Sequence, residues 1–219
     1  MIVTIDGPAG AGKSTVARRL ASRLGFRFLD TGAMYRAVAW AFGEMNVNIE
    51  DEAEVTFSLA RITLSMHGDK VFVNDQDITK QLRNPDVAQN ASRAATIPAV
   101  RDTLVQLQRE IAQQGNYVCE GRDQGTVVFP DALCKVFLTA SPEIRAERRW
   151  LEMKETDPEL SLDNVVAEQK IRDLRDETRQ VGRLERARDA IEINVDDLTL
   201  DEVVDKIEQL VRTTVAKSS

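Results

Sequence analysis

The chain of 219 residues carries 36 acidic and 29 basic side chains, a formal charge of −7, with 42% hydrophobic and 30% charged residues. At about 150 residues per domain this is one domain, with or without elaborations, and the balance excludes a disordered or collagen-like chain. The acidic excess excludes a broad electrostatic footprint for a nucleic-acid polymer.

Ile2 to Asp6 is a short apolar run without a basic lead, so no secretory leader is expected. No apolar run approaches the roughly 20 residues that span a bilayer, and a cytoplasmic protein is expected. Strand Ile2 to Asp6 ends in a glycine-rich turn, after which Val16, Leu20 and Leu24 recur at helical spacing and Gly25 stops the helix. Phe26, Phe28 and Leu29 predict a second strand leading to Asp30, and Met34, Ala37, Val38 and Ala41 a second helix. Between Ile62 and Ile78, Leu64, Met66, Val71 and Val73 alternate around His67, Gly68 and Asp69, which predicts an inserted hairpin with His67 in a solvated turn. Val100, Leu104, Leu107 and Ile111 predict a helix after Pro98. Tyr117 to Cys119 and Lys135 to Leu138 predict strands. From Pro142 to Arg188 the chain is charge-rich and helical in spacing, and strand Ile191 to Val195 with a helix through Leu200, Val203, Ile207 and Leu210 closes it. Alternating strands and helices predict an α/β fold around a mainly parallel sheet. The single His67 and the two cysteines, Cys119 and Cys134, supply neither a metal cluster nor a disulfide framework, and the cysteines read as buried small hydrophobes.

Gly7, Pro8, Ala9, Gly10, Ala11, Gly12, Lys13 and Ser14, followed by Thr15, fit the spacing of a phosphate-binding loop and lie between a predicted strand and a predicted helix. Glycines let successive N–H groups turn toward phosphate oxygens, and the helix presents its positive end to the same anion. Lys13 would bridge the outer phosphates and Ser14 would ligate Mg²⁺. A switch GTPase uses the same loop, but no Asn-Lys-x-Asp element occurs in the chain. A kinase for a small phosphorylated acceptor needs further cations at the carboxyl ends of the strands. Asp30, Thr31 and Arg36 follow the second strand, and Glu120, Arg122 and Asp123 the third. Each arginine alone reads equally as a surface ion-pair partner; two beside a phosphate loop point to anion binding.

The residues Gly7 to Ser14, Asp30 to Arg36, Asn90-Ala91-Ser92 with Arg101, Glu120 to Ala132, Lys135 to Leu138, Arg145 to Arg149 and Arg172 to Asp176 together resemble the bacterial cytidylate kinase family over nearly the whole chain. The resemblance implies phosphoryl transfer from ATP, with Mg²⁺, to CMP or dCMP. It implies a P-loop NTPase-type parallel five-stranded sheet with helices on both faces: a core of 1–62, 93–149 and 184–219, an acceptor-binding insert at 63–92 and a helical lid at 150–183. A monomer is expected. Other acceptors, UMP or a sugar acid, stay open beside CMP, and a nucleotide-dependent switch is the reading from another class.

Carried over by position, the resemblance puts Arg36 and Arg122 on the acceptor's phosphate, with Asp30 and Thr31 beside them. Ser92, Arg101 and Asp123 would face cytosine, whose amino group suits a carboxylate and whose ring acceptors suit an arginine. Arg172 and Asp176 would hold the sugar, and Arg179 would reach the acceptor as the lid closes. Arg172, Arg175 and Arg179 are spaced to share one helix face with Asp176, and a closing lid would exclude water. Arg148, Arg149 and Arg175 are the candidates, beside Lys13, for the transferring phosphoryl. Arg183 stands where the family commonly has proline, and Gln124 where an apolar residue is usual.

Overall fold

The N-terminal apolar run becomes the middle strand of a sheet. The computed structural model describes residues 1–154 and 159–218, and residues 155–158 of the expected lid lie outside them. In chain order the elements are β1 (Ile2–Asp6), α1 (Lys13–Leu24), β2 (Arg27–Asp30), α2 (Thr31–Glu44), α3 (Glu52–Leu59), β3 (Leu64–His67), β4 (Lys70–Val73), β5 (Gln76–Asp77), α4 (Pro85–Ala94), α5 (Pro98–Ala112), β6 (Tyr117–Gly121), β7 (Cys134–Thr139), α6 (Pro142–Lys154), α7 (Leu162–Thr178), β8 (Ile191–Asn194) and α8 (Leu200–Ser218). A π-turn, Gln124–Val128, follows β6.

The chain divides into two units. The first comprises Met1–Leu29, Gly115–Arg179 and Arg183–Ser219, and the second Asp30–Gln114 with Gln180–Gly182. In the first, the sheet order is β2-β6-β1-β7-β8. β1 pairs in parallel with β6 and β7, and β7 with β8. Val3 and Ile5 of β1 are wholly buried against Val16 and Leu20 of α1, Val118, Val136 and Leu138 of the flanking strands, and Val203 and Ile207 of α8. A strand covered on both faces needs an unbroken apolar run, which is how Ile2 to Ile5 reads. Cys119 and Cys134 are buried thiols, and burial pushes Cys134 up to about 11, so neither is poised as a thiolate.

The second unit has its own antiparallel sheet, β3-β4-β5, with the expected hairpin pairing Leu64 to Val73 and His67 to Lys70. His67 is exposed and lies edge-on to Phe72, 5.6 Å between ring centres. Ala33, Ala37 and Ala41 of α2 share a core with Val71, Val73, Ile78 and Leu82. The expected insert, 63–92, therefore sits within a unit that extends from Asp30 to Gln114.

Two helices of this unit escape apolar periodicity and announce themselves through caps. Asp51 accepts from the N–H groups of Ala53 and Glu54 at the start of α3, and Asn84 accepts from Asp86 N–H with Pro85 in the first turn of α4. The charged stretch also differs from one long helix. Ser161 caps a separate α7, and Arg179, with ψ 144°, has left the helix. Arg172, Arg175 and Asp176 are thus helical and Arg179 is not. Among the described residues no helix is long and apolar enough to cross a membrane.

Candidate active site

The first unit assembles its charged groups around the loop from Gly7 to Gly12. Gly7 has φ 148°, and a Cβ there would lie 2.1 Å from the Leu138 carbonyl oxygen, so the loop leaves β1 pressed against β7. Helix α1 begins at Lys13 with no side-chain cap at Gly12, which leaves its first N–H groups to an anion. Ser14 and Thr15 are exposed in that first turn. Lys13 is only 5% exposed, and its ammonium donates to the Pro8 carbonyl at 2.7 Å. Burial, with the charge of Arg122 next, pushes Lys13 down to about 7, while Glu120 opposes the shift. A dry site crowded with cations is one that a polyphosphate would relieve.

The carboxyl end of β6 supplies the opposing groups. Glu120 accepts from the Ser14 hydroxyl at 2.9 Å. These two hard oxygens suit a Mg²⁺ that takes its remaining ligands from phosphate and water. No cluster of three or more His, Cys, Asp or Glu side chains able to hold a metal occurs among the described residues. Arg122 Nε donates to Asp176 Oδ2 at 2.8 Å, and Arg179 stands 3.8 Å from the other oxygen of Asp176. Burial pushes the Asp176 carboxyl up, but Arg122, Arg179 and Arg172 outweigh it and hold the group below its ordinary value. Asp176 therefore gathers the expected phosphate and sugar arginines about one buried carboxylate.

Asp123, also buried, turns the chain into the π-turn, its carbonyl accepting from the N–H groups of Val127 (2.9 Å) and Val128 (3.2 Å). Gln124 is buried too, and its N–H donates to Asp6 Oδ1 at 2.9 Å, as that of Gly125 does to Asp6 Oδ2 at 2.7 Å. Asp6 had no expected role. Burial pushes it up to about 7 against those two hydrogen bonds. The π-turn that follows the expected cytosine-facing Asp123 thus rests on the last residue of the middle strand.

The candidate arginines separate by position. Arg148 Nη1 lies 3.9 Å from where a side chain at Gly12 would begin, and Nη2 donates to the Val195 carbonyl at 3.4 Å. Arg149 is 39% exposed and pairs with Glu152 on its own helix at 3.4 Å. Arg175 is half-buried on α7, beside Asp176. Arg183 pairs with Glu185 at 2.9 Å. A further arginine, Arg145, has no role assigned from the sequence. It is buried and donates to the carbonyls of Ala140 and Ala9, each at 3.0 Å, and to Asp173 Oδ2 at 2.7 Å. Its position in the first turn of α6, where the helix dipole disfavours a cation, was the available signal.

In the second unit, Asp30 caps α2 by accepting from Ala33 N–H at 2.7 Å and pairs with Arg36 at 3.2 Å. Thr31 is buried beside it. Arg101, buried on α5, donates to the Tyr35 hydroxyl at 3.3 Å. A Cβ at Gly182 would lie 1.9 Å from its guanidinium. Ser92 is buried on α4. The structure thus gives each acceptor arginine of this unit a polar neighbour from the same unit.

Comparison with known proteins bears on what these groups serve. A solved structure of an uncharacterised protein from Eubacterium ventriosum superposes with a TM-score of 0.55 over 97% of this chain and 98% of its own, at 15% identity, which supports the fold alone. A cytidylate kinase of Rhodopirellula baltica is 48% identical over 220 residues, covering all of this chain and 96% of that protein. A cytidylate kinase of Fusobacterium nucleatum is 44% identical over 94% of this chain and 95% of its own length. A bifunctional pantoate ligase/cytidylate kinase of Thermosynechococcus vestitus matches 97% of this chain at 44% identity through 43% of its length. The family model for cytidylate kinase matches residues 3–213. With nearly every residue inside that match, the chain belongs to the cytidylate kinase family.

Proposed function

We propose that the protein transfers the γ-phosphoryl group of ATP to CMP and dCMP, forming ADP with CDP or dCDP. The observation that carries the reading is that one unit holds the phosphate loop, with Lys13 buried behind it, together with Arg122 fixed by Asp176. Family membership supplies the acceptor class. A phosphate oxygen of CMP attacks the γ-phosphorus, the bond to the bridging oxygen of ADP breaks, and charge passes to the leaving group. No general base is required, because a phosphate monoester near neutral pH is already a nucleophile. The protein's share is positioning and charge neutralisation.

Lys13 and the N–H groups at the start of α1 hold the donor phosphates. Ser14 and Glu120 are the oxygens that would hold Mg²⁺, whose charge screens the phosphates when it is bound. Arg36 and Arg122 aim the acceptor phosphate, with Asp30 and Thr31 behind Arg36. Ser92, Arg101 and Asp123 read cytosine, and Arg172, Asp176 and Arg179 hold the sugar side. Arg148, next to the phosphate loop, is the stronger choice for the transferring group than Arg149, which faces Glu152. Arg175 shares that role from α7. Residues 63–92 serve as acceptor-binding insert and 150–183 as lid. The reading places the protein in the cytoplasm, with its nucleotide substrates, and takes it to act as a monomer.

The test is an acceptor panel. Purified protein with ATP and Mg²⁺ is assayed for ADP release against CMP, dCMP, UMP and sugar acids. Turnover with CMP and dCMP is expected; turnover only with UMP or a sugar acid, or hydrolysis indifferent to any acceptor, overturns the reading.

A further inference from the structure

The Ala9 carbonyl faces away from the loop and is held there by two side chains from outside it. Arg145 Nη1 donates to it at 3.0 Å and Gln169 Nε2 at 3.4 Å. The same Nη1 donates to Asp173 Oδ2 at 2.7 Å, and this pair is nearly dry, the side chains being 6% and 16% exposed. The other oxygen of Asp173 is buried without a hydrogen-bond partner, so the carboxylate is committed to Arg145. Gly10, with φ 79°, lies directly on α6: a Cβ there would be 3.0 Å from the Arg145 Cβ and carbonyl oxygen. The loop is thus seated on α6 and tied to α7.

Peptide planarity gives the tie a consequence. In a trans peptide the C=O of one residue and the N–H of the next point in opposite directions. Fixing the Ala9 carbonyl toward Arg145 and Gln169 therefore fixes the Gly10 N–H toward the other side. Gln169, Asp173 and Asp176 occur at i, i+4 and i+7 and share one face of α7. The first two act on the donor loop, and the third holds Arg122.

Resting on the phosphoryl-transfer reading above, we propose that Arg145 and Asp173, with Gln169, are positioning residues that orient the Ala9–Gly10 peptide for the donor's phosphates. α7 is then the element that sets both the phosphate loop and the acceptor-phosphate arginine. No group of the clamp touches a reacting atom. It acts through the direction of one N–H and through the helix that carries Asp176.

The variants are Asp173→Asn, which keeps shape and removes charge, and Gln169→Ala, which removes only the longer contact. The first readout is the dissociation constant of a non-hydrolysable ATP analogue, measured without acceptor, so that it tests the clamp even where the acceptor panel fails. Weakening of roughly tenfold is expected for Asp173→Asn, the size of a lost charge-assisted hydrogen bond, and less for Gln169→Ala. In steady state the KM for ATP should rise more than the KM for CMP. The second readout is the Gly10 amide resonance of the free protein, which should move in both variants while resonances of β3 and β4 stay. Arg145→Lys combined with Asp173→Asn should cost less than the sum of the single changes. An unchanged analogue affinity and an unmoved Gly10 amide in Gln169→Ala, the milder change, and in any folded Asp173→Asn protein overturn the proposal. So does an equal rise in both KM values.

Discussion

The two units hold their arginines by different means. In the first, Arg122 and Arg145 are fixed by buried carboxylates from α7, Asp176 at 2.8 Å and Asp173 at 2.7 Å. In the second, Arg36 is 28% exposed and braced by its own helix's capping residue, and Arg101 meets a tyrosine hydroxyl on α2. Buried pairs cost desolvation and are costly to break, whereas half-exposed ones adjust cheaply. Under the proposed assignment, the phosphate loop and the acceptor arginine Arg122 are therefore fixed before any ligand arrives, whereas the acceptor arginine Arg36 can shift.

The largest effect that would test this contrast is at Lys13. Lys13→Ala should lower turnover by roughly 10²–10³-fold, the scale of removing a charge-stabilising group, while CMP affinity changes little. Equal losses of turnover and CMP affinity, by steady-state kinetics and calorimetry, would break the proposed division between donor-binding and acceptor-binding groups.

Next comes Asp176→Ala, which leaves Arg122, Arg172 and Arg179 around an empty space. Chemical denaturation should show a loss of about 3–5 kcal/mol, typical of an orphaned buried charge. The matched change in the second unit, Asp30→Asn, keeps the cap and weakens a half-exposed pair, so a loss below about 1 kcal/mol is expected. Similar losses for both would erase the contrast.

A smaller effect concerns pH. Asp6, about 3.8 in the unfolded chain, stands near 7 in the fold because it is buried. Between those values the folded protein holds a proton that the unfolded chain releases. Its contribution to stability therefore falls as pH rises from about 4 to about 7 and is flat above that range. Other carboxylates, Asp176 among them, slope the other way. The measurement is the difference between wild type and Asp6→Asn in urea midpoint at pH 5 and pH 7.5. The variant should lose this downward component; identical pH slopes would contradict it.

The smallest effect should come from Gly182→Ala. Its Cβ would collide with the guanidinium of Arg101, the flexible end of a side chain, so Arg101 can move aside. A rise in the KM for CMP of a few-fold is expected, with a melting temperature a few degrees below wild type, since the left-handed backbone of Gly182, φ 56°, costs an alanine about 1 kcal/mol. A large loss of stability would show that the second unit is as rigid as the first.

How much was legible beforehand depends on the range of the signal. The phosphate loop is a run of eight residues with a strand before it and a helix after it, and local patterns place all three. The five sheet strands are short apolar runs with turns beside them, and they stand where expected. Helices α3 and α4 are short and rich in small residues, so apolar spacing misses them; their caps, Asp51 and Asn84, were the readable mark. Arg179 shows the limit of spacing, because i+7 places a residue on a helix face only if the helix reaches it.

From the sequence alone came the phosphate loop, the alternation of strands and helices, and the family with its candidate residues, since each is carried by neighbours along the chain. The tertiary structure decided what those residues touch. Asp6 beneath the π-turn, Arg145 on the Ala9 carbonyl and Asp176 on Arg122 join positions 118, 136 and 54 residues apart. No local pattern encodes such pairs. They are selected by burial, which makes an unpartnered charge or N–H costly and leaves few places where it can be satisfied.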